Sequence, residues 1–192
     1  MPKKNTFSHS EKSLTNDLER ILFDEVTIQD RVCALAGEIN TTYEKRELTI
    51  IAIANGAIIF TADLMRKLDL AVRFDCIQVT SYRNQITPVH SPEIRNHIRL
   101  DIKGSDILLI DDILDTGNTL LQVSKQLKSM HPKSLKTCVL LDKKSRRQVD
   151  IEADFVGFEI PDEFVVGYGL DFAESYRHLT YIGILKKEVT QI

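Results

Sequence analysis

Three short runs of nearly unbroken apolar residues constrain this chain more than anything else in it: LTIIAIA at 48–54, DILLI at 106–110 and LKTCVLL at 135–141. A strand with one wet face alternates apolar and polar residues. A strand that is apolar at consecutive positions has both faces covered, which is the condition of a central strand in a parallel sheet. The intervening segments supply the cover. Ile28, Val32, Leu35, Ala36, Ile39 and Tyr43 recur at the spacing of one helix face, with Thr27 as the expected N-cap, so a helix to about residue 43 should lay that face on the sheet. AIIFTADLMRKL, which begins at residue 57, has helical composition. A further helix is expected from Thr119 to Met130, stopped by His131-Pro132, and VRFDCIQVTSY at 72–82 returns to strand character. Strand, helix and strand in this order make βαβ units. LTYIGIL at 179–185 reads as a last strand, and NDLERILF near the N-terminus fits a short helix or a strand. The expected fold class is α/β, with an open, mostly parallel sheet flanked by helices.

Residues 83–104 contain two prolines, many polar groups and weak periodicity, so a mobile flap or hairpin is expected there. The chain's 192 residues have the length of a single domain. With 25 Lys and Arg against 28 Asp and Glu, the formal charge is −3, which speaks against coating nucleic acid through a basic face. No stretch reaches the roughly 18 apolar residues of a membrane span, and the polar N-terminus lacks the apolar core of an export signal. A soluble cytoplasmic protein is therefore expected. Cys33, Cys76 and Cys138 are odd in number and far apart, each in an apolar pattern, which suits buried thiols in a reducing compartment.

In a doubly wound sheet, ligands sit outside the carboxyl ends of the strands. After the run at 106–110 come Asp111-Asp112, two apolar residues, Asp115-Thr116-Gly117-Asn118-Thr119 and a helix. Small polar residues opening a helix present N–H groups at its positive end, where a phosphate binds. Paired carboxylates can accept from vicinal hydroxyls or hold a hydrated Mg²⁺. A sugar diol carrying a phosphate would satisfy both halves. DTGNT alone is equally well a capped turn, and KKSRR at 143–147 alone is more readily a solvated basic face.

The longer strings are more specific. ILLIDDILDTGNTL resembles the phosphoribosyl diphosphate signature of the type I phosphoribosyltransferases. LLDKKSRR and ADFVGFEIPDEFVVGYGLDFAESYR resemble the C-terminal part of hypoxanthine-guanine phosphoribosyltransferases, with matching element order from about residue 20 to 185. The resemblance implies the type I phosphoribosyltransferase fold, with a base-binding hood at about 145–192. It implies transfer of a phosphoribosyl group from phosphoribosyl diphosphate to N9 of a 6-oxopurine, giving IMP or GMP and pyrophosphate, with Mg²⁺ as cofactor and a homodimer or homotetramer as the assembly.

Residue by residue, the resemblance places Asp111 and Asp112 at the ribose hydroxyls and Mg²⁺. It places Asp115 near purine N7 as a candidate base, and Asp115, Thr116, Gly117, Asn118 and Thr119 around the 5′-phosphate. Lys143 would donate to purine O6, Phe164 would stack on the base, and Val165 would read its edge through the backbone. Asp171 would lie by Mg²⁺ and the exocyclic pocket, and Arg177 by pyrophosphate, with Arg147 in support and Ser81-Tyr82 in the closing flap. Two positions depart from the family pattern. Asn118 stands where Lys is frequent. Asn55-Gly56 stands where a basic residue precedes glycine in a pyrophosphate-binding loop with a non-proline cis peptide, so one charge contact is missing at each place. Two other functions remain open from sequence: a preference for xanthine, and a non-catalytic nucleic-acid-binding regulator on the same fold. Asp115, Lys143, Phe164, Asp171 and Arg177 occurring together favour the enzyme.

Overall fold

A computed structural model describes residues 11–80, 93–94 and 98–190. After a short helix, α1 (Glu11–Asn16), come β1 (Leu18–Phe23), α2 (Glu25–Thr42), β2 (Leu48–Ala54), α3 (Ile58–Met65), β3 (Val72–Thr80) and β4 (Glu93–Ile94). The second half holds β5 (Asp106–Leu114), α4 (Asn118–Ser129), β6 (Ser134–Asp142), a 3₁₀ turn (Lys144–Arg146), β7 (Phe155–Glu159), β8 (Val165–Val166), β9 (Ile182–Leu185) and α5 (Lys187–Thr190). The main sheet has the order β4-β3-β2-β5-β6-β7. All its neighbours run parallel except β4, which pairs antiparallel with β3. A smaller sheet, β1-β9-β8, is antiparallel.

The apolar runs are continuous because each central strand feeds two cores. Ile50, Leu108, Ile110, Cys138 and Leu140 pack toward α2, α3 and the smaller sheet. Their neighbours Ile51, Ile53, Ile107, Leu109 and Val139 pack with Leu120, Val123 and Leu127 of α4. Each fully buried aliphatic side chain is worth about 1.5–3 kcal/mol of transfer free energy, so both faces stay covered. The expected face of α2 is the buried one: Ile28, Val32, Leu35, Ala36, Ile39 and Tyr43 are all inaccessible. The N-cap differs from expectation. Asp24, not Thr27, caps the helix, and its carboxylate accepts from the Thr27 N–H at 2.8 Å. An ionised acceptor at the positive end of the helix outcompetes a hydroxyl three residues inside it.

Both readings of NDLERILF hold in part, since α1 ends at Asn16 and β1 follows. The last strand covers residues 182–185 and joins β1 and β8 instead of the parallel sheet. Phe23 of β1 stacks on Phe158 of β7 at 4.0 Å, tying the smaller sheet to the edge of the larger one. The free edge of β7 is covered by Arg31, which donates to the Val156 and Gly157 carbonyls. Of the expected flap, residues 98–104 pack firmly: the Arg99 N–H donates to Asp75 at 2.7 Å, and Ile102 is fully buried. Ser81, Tyr82 and residues 83–92 and 95–97 lie outside the described residues. The cysteines are unpaired as expected, yet only Cys138 is buried; Cys33 is exposed because it falls on the outer face of α2.

Candidate functional site

The strand order reverses at β2: the chain passes from β2 to β3 on one side and then returns to β5 on the other. This is the switch point where a crevice opens at the carboxyl ends of the strands. Ladder pairing between β2 and β5 stops at Ala52↔Ile110, while pairing of β5 with β6 continues to Leu114↔Asp142. Asp111 and Asp112 therefore sit inside β5, whereas the apolar run alone placed them after a strand ending at residue 110. β6 supports the extra length on one side. On the other side β2 turns away through a cis peptide between Ala54 and Asn55, so the acidic pair faces the gap.

The Asn55–Gly56 loop lies directly against the acidic pair. A Cβ placed on Gly56 would fall 2.1 Å from Asp112 Oδ2, so a side chain there would displace the Asp112 carboxylate. On its other side Gly56 presents its carbonyl to Gly169, where a Cβ would lie 2.2 Å from that oxygen and where φ is +103°. The Gly169 carbonyl accepts from Arg177 Nη1 at 2.8 Å, and Arg177 Nη2 lies 2.9 Å from Asp171 Oδ1. The Glu174 N–H donates to the other oxygen of Asp171 at 3.0 Å. Segments 54–56, 111–112 and 167–177, far apart in sequence, thus form one corner.

The two carboxylates of β5 differ from ordinary surface acids. Burial, and then the neighbouring Asp112 charge, push the Asp111 carboxyl well above its usual range. Burial also raises Asp112, opposed by hydrogen bonds from Asp111 and the local backbone and by the positive charge of Arg177. Among the described residues no group of three or more His, Cys, Asp or Glu side chains gathers around a point, so Asp171 does not join Asp111 and Asp112 as one ligand set. The Arg177 pair and the Glu174 N–H hold it instead. Two hard carboxylate oxygen donors in a concave corner nevertheless suit Mg²⁺, which characteristically takes one or two protein carboxylates and fills its remaining positions with water and substrate oxygens.

Downstream, Gly117 has φ +87° and leaves the first turn of α4 without a side-chain cap. The Asn118 N–H makes a long donation to Thr116 Oγ1 at 3.4 Å, and the positive end of α4 suits an anion. Asn118 does not reach outward: its Nδ2 donates to Thr116 Oγ1 at 3.3 Å and to Gln148 Oε1 at 3.2 Å, and the Gln148 N–H donates to the Thr116 carbonyl at 3.0 Å. It braces the loop that a lysine would instead furnish with charge. Arg147 braces it from behind, donating to the carbonyls of Leu114, at 3.0 Å, and Asp115 while pairing with buried Asp142. Lys143 is 5% exposed at the end of β6, and its N–H donates to Leu114 at 3.0 Å. Neither residue lies on a solvated basic face. Lys144 does, paired with Glu159.

Arg146, from the basic cluster KKSRR, bridges two segments of the site. Its Nε is 3.1 Å from Asp115 Oδ1, and its Nη1 is 3.3 Å from Asp162, so it spans the loop after β5 and the segment preceding Phe164. Only its position in a basic cluster hinted at this. Phe164 is 36% exposed and meets the Phe172 ring edge to face at 5.5 Å, leaving apolar ring surface for a planar ligand. Val165 is buried, with its backbone in the β8–β9 ladder.

A doubly wound sheet with a paired-carboxylate crevice, an open helix N-terminus and an aromatic platform defines a domain built for a phosphorylated sugar and a flat base. The family model for the phosphoribosyl transferase domain matches residues 22–173. The chain is 42% identical over 176 residues to the hypoxanthine-guanine phosphoribosyltransferase of Bacillus subtilis, covering 92% of this chain and 98% of that one. A crystal structure of a hypoxanthine phosphoribosyltransferase from Staphylococcus aureus superposes with a TM-score of 0.89 at 39% identity, covering 94% of this chain and 98% of that one. The bifunctional protein TilS/HprT of Listeria monocytogenes is 41% identical over 178 residues, 93% of this chain, and this chain spans 28% of that protein's length. The chain belongs to the phosphoribosyl transferase family and, within it, to the hypoxanthine-guanine phosphoribosyltransferases.

Proposed function

We propose that this protein transfers the 5-phosphoribosyl group of phosphoribosyl diphosphate to N9 of hypoxanthine or guanine, releasing pyrophosphate and forming IMP or GMP. One observation carries the reading: Gly56 packed between the Asp112 carboxylate and Gly169, which joins three distant segments at the switch point. The Asp111 and Asp112 carboxylates accept from the ribose 2- and 3-hydroxyls and fix the sugar ring. Thr116, Gly117, Asn118, Thr119 and the first amides of α4 hold the 5′-phosphate at the positive end of that helix. Asn55, the Gly56 backbone and Arg177 receive the departing pyrophosphate, which a guanidinium meets with paired, charge-assisted hydrogen bonds. Asp111 and Asp112 would hold Mg²⁺, which would neutralise diphosphate charge, while Asp171 stays paired with Arg177 on the 167–177 loop.

On the base side, Phe164 stacks on the purine and the Val165 backbone reads its edge. Lys143 donates to O6; an ammonium has donors only, so a 6-oxo group suits it and the 6-amino group of adenine does not. Asp115 takes the proton at N7 as N9 becomes nucleophilic, and Arg146 at 3.1 Å is a counter-charge that base entry must accommodate. Closure by Ser81-Tyr82 would exclude water from an oxocarbenium-like centre. We assign the protein to the cytoplasm as a homodimer or homotetramer. The near-balanced −3 charge speaks against coating nucleic acid through a basic face. Among the described residues no helix is long and apolar enough to cross a membrane. The test is a panel of hypoxanthine, guanine and xanthine with phosphoribosyl diphosphate, with Mg²⁺ present and chelated. Nucleotide and pyrophosphate should appear with hypoxanthine or guanine only when Mg²⁺ is present; no turnover on any 6-oxopurine overturns the reading.

A further inference from the structure

The Gly56–Gly169 contact is closed into a ring by side chains outside the site. α3 begins two residues after Gly56 and carries Asp63, and the residue before Gly169 is Tyr168, only 3% exposed. The Tyr168 hydroxyl donates to Asp63 Oδ2 at 2.6 Å across 105 positions of sequence. Gln29 of α2 donates to the same oxygen at 2.9 Å, and Arg66 pairs with the other. Tyr168 has φ +49°, flanked by Gly167 at +99° and Gly169 at +103°. A bulky residue with positive φ persists only when its surroundings hold it there. The close approach of neighbouring Gly169 to Gly56, the Tyr168 N–H bond to the Leu179 carbonyl at 2.9 Å and the hydroxyl bond to α3 together supply that hold.

We propose that Asp63 and Tyr168 are positioning residues for the pyrophosphate corner: their hydrogen bond fixes the spacing between the Asn55–Gly56 loop and the 167–177 loop that carries Asp171 and Arg177. The proposal rests on the phosphoribosyl transfer reading above. The corner needs such a brace because Asn55 brings no charge, so recognition of the diphosphate falls to a backbone N–H and one guanidinium. Both groups depend on distance and angle more than a flexible lysine would. Arg177 is anchored to the Gly169 carbonyl, so any drift of residues 168–169 moves the guanidinium and Gly56 apart together.

Tyr168→Phe removes the hydroxyl and keeps the ring. It should weaken Mg²⁺-pyrophosphate binding, measured by calorimetry, and raise the KM for phosphoribosyl diphosphate by about fivefold, the effect of one hydrogen bond near 1 kcal/mol, while the hypoxanthine KM moves less than twofold. Asp63→Asn retains a carbonyl oxygen as acceptor and should stay within about twofold of the parent, whereas Asp63→Leu should reproduce Tyr168→Phe. A purely structural role would lower the melting temperature without this split. Unchanged pyrophosphate affinity in Tyr168→Phe, or equal losses for both substrates, overturns the proposal. If Tyr168→Phe does not fold, Asp63→Leu is read by the same two criteria. Arg177→Ala separates the two levels. If it abolishes pyrophosphate binding while Tyr168→Phe leaves it intact, the brace alone is wrong; if neither changes it, the assignment of the corner falls with the brace.

Discussion

β5 carries two buried aspartates, Asp106 at its amino end and Asp111 in its carboxyl half, and the two are held on opposite principles. At the amino end, Asp106 is 5% exposed and receives Arg46 at 3.1 Å, Lys133 at 3.0 Å and the Ser134 hydroxyl. Burial alone would raise its carboxyl, but the Ser134 and Lys133 hydrogen bonds and the Arg46 and Lys133 charges outweigh it and hold it below the usual range. At the carboxyl end, Asp111 has Asp112 as its neighbour, and burial and that like charge raise it. The strand is the same and the residue type is the same. A saturated carboxylate serves the fold, whereas one held in an unfavourable field is poised for a ligand that brings positive charge or hydrogen-bond donors.

The contrast predicts that carboxyl-end substitutions abolish activity and spare the fold, and amino-end substitutions do the reverse. The largest effect belongs to Asp115→Asn. If Asp115 exchanges a proton with the purine, turnover falls by about 10²- to 10⁴-fold, the range for loss of a general acid–base group, with the KM for hypoxanthine little changed. Steady-state kinetics checks this, and an unchanged kcat removes Asp115 from the chemistry. Next in size is Asp106→Ala, which should cost about 1–3 kcal/mol of stability by leaving Arg46, Lys133 and Ser134 without their buried acceptor. Urea unfolding reads the loss, and kcat should equal the parent's. Smaller again is Asp111→Asn: with one of two adjacent buried charges gone, the ligand-free protein should match the parent or exceed it by up to about 1 kcal/mol while turnover drops. If Asp111→Asn were as destabilising as Asp106→Ala, the two ends of β5 would not differ in kind.

How much of this was legible in the sequence depends on whether the signal is local. The face of α2 and the doubly buried strands follow from periodicity and unbroken apolar runs, so both appear in the structure nearly as read. The end of β5 is not legible in the sequence because Asp111 and Asp112 look like a strand stop; what extends the strand is its neighbour β6, whose pairing through Asp142 the sequence does not display. Thr27 is a good cap residue directly before Ile28, where the apolar pattern begins, but the helix starts at Glu25, three residues ahead of that pattern, and Asp24 caps it. The family could be recognised because DDILDTGNT and PDEFVVGYGLDF are long, unusual strings. Arg146 beside Asp115, the Gly56–Gly169 approach and the Asp63–Tyr168 bond were not legible. Each joins residues from separate elements, and neither Asp63 nor Gln29 carries any local mark of its role.

The smallest effect is also the one with a definite sign. In the unfolded chain an aspartate titrates near 3.9, and in the folded protein Asp106 titrates below that. Above about pH 5 both states are ionised and the full contribution of Asp106 is present. As pH falls, the unfolded state takes up its proton first, so the folded state loses stability until pH passes below the folded value and the contribution is gone. Asp75 and Asp154 are shifted in the same direction: burial opposes, but backbone N–H donors and charge outweigh it. The acid limb of the parent is therefore shared among several groups. Asp106→Ala should make it shallower without abolishing it, so parent and variant should differ less at about pH 3 than at about pH 7. Urea midpoints at the two pH values measure the difference. Asp111→Asn should instead steepen the rise of stability from acid to neutral pH, because it removes a carboxyl whose raised titration favours the folded protein on the acid side and opposes that rise. A variant at residue 106 with an unaltered acid limb would mean that Arg46 and Lys133, exposed on the outer side of Asp106, are solvated too well to hold its charge.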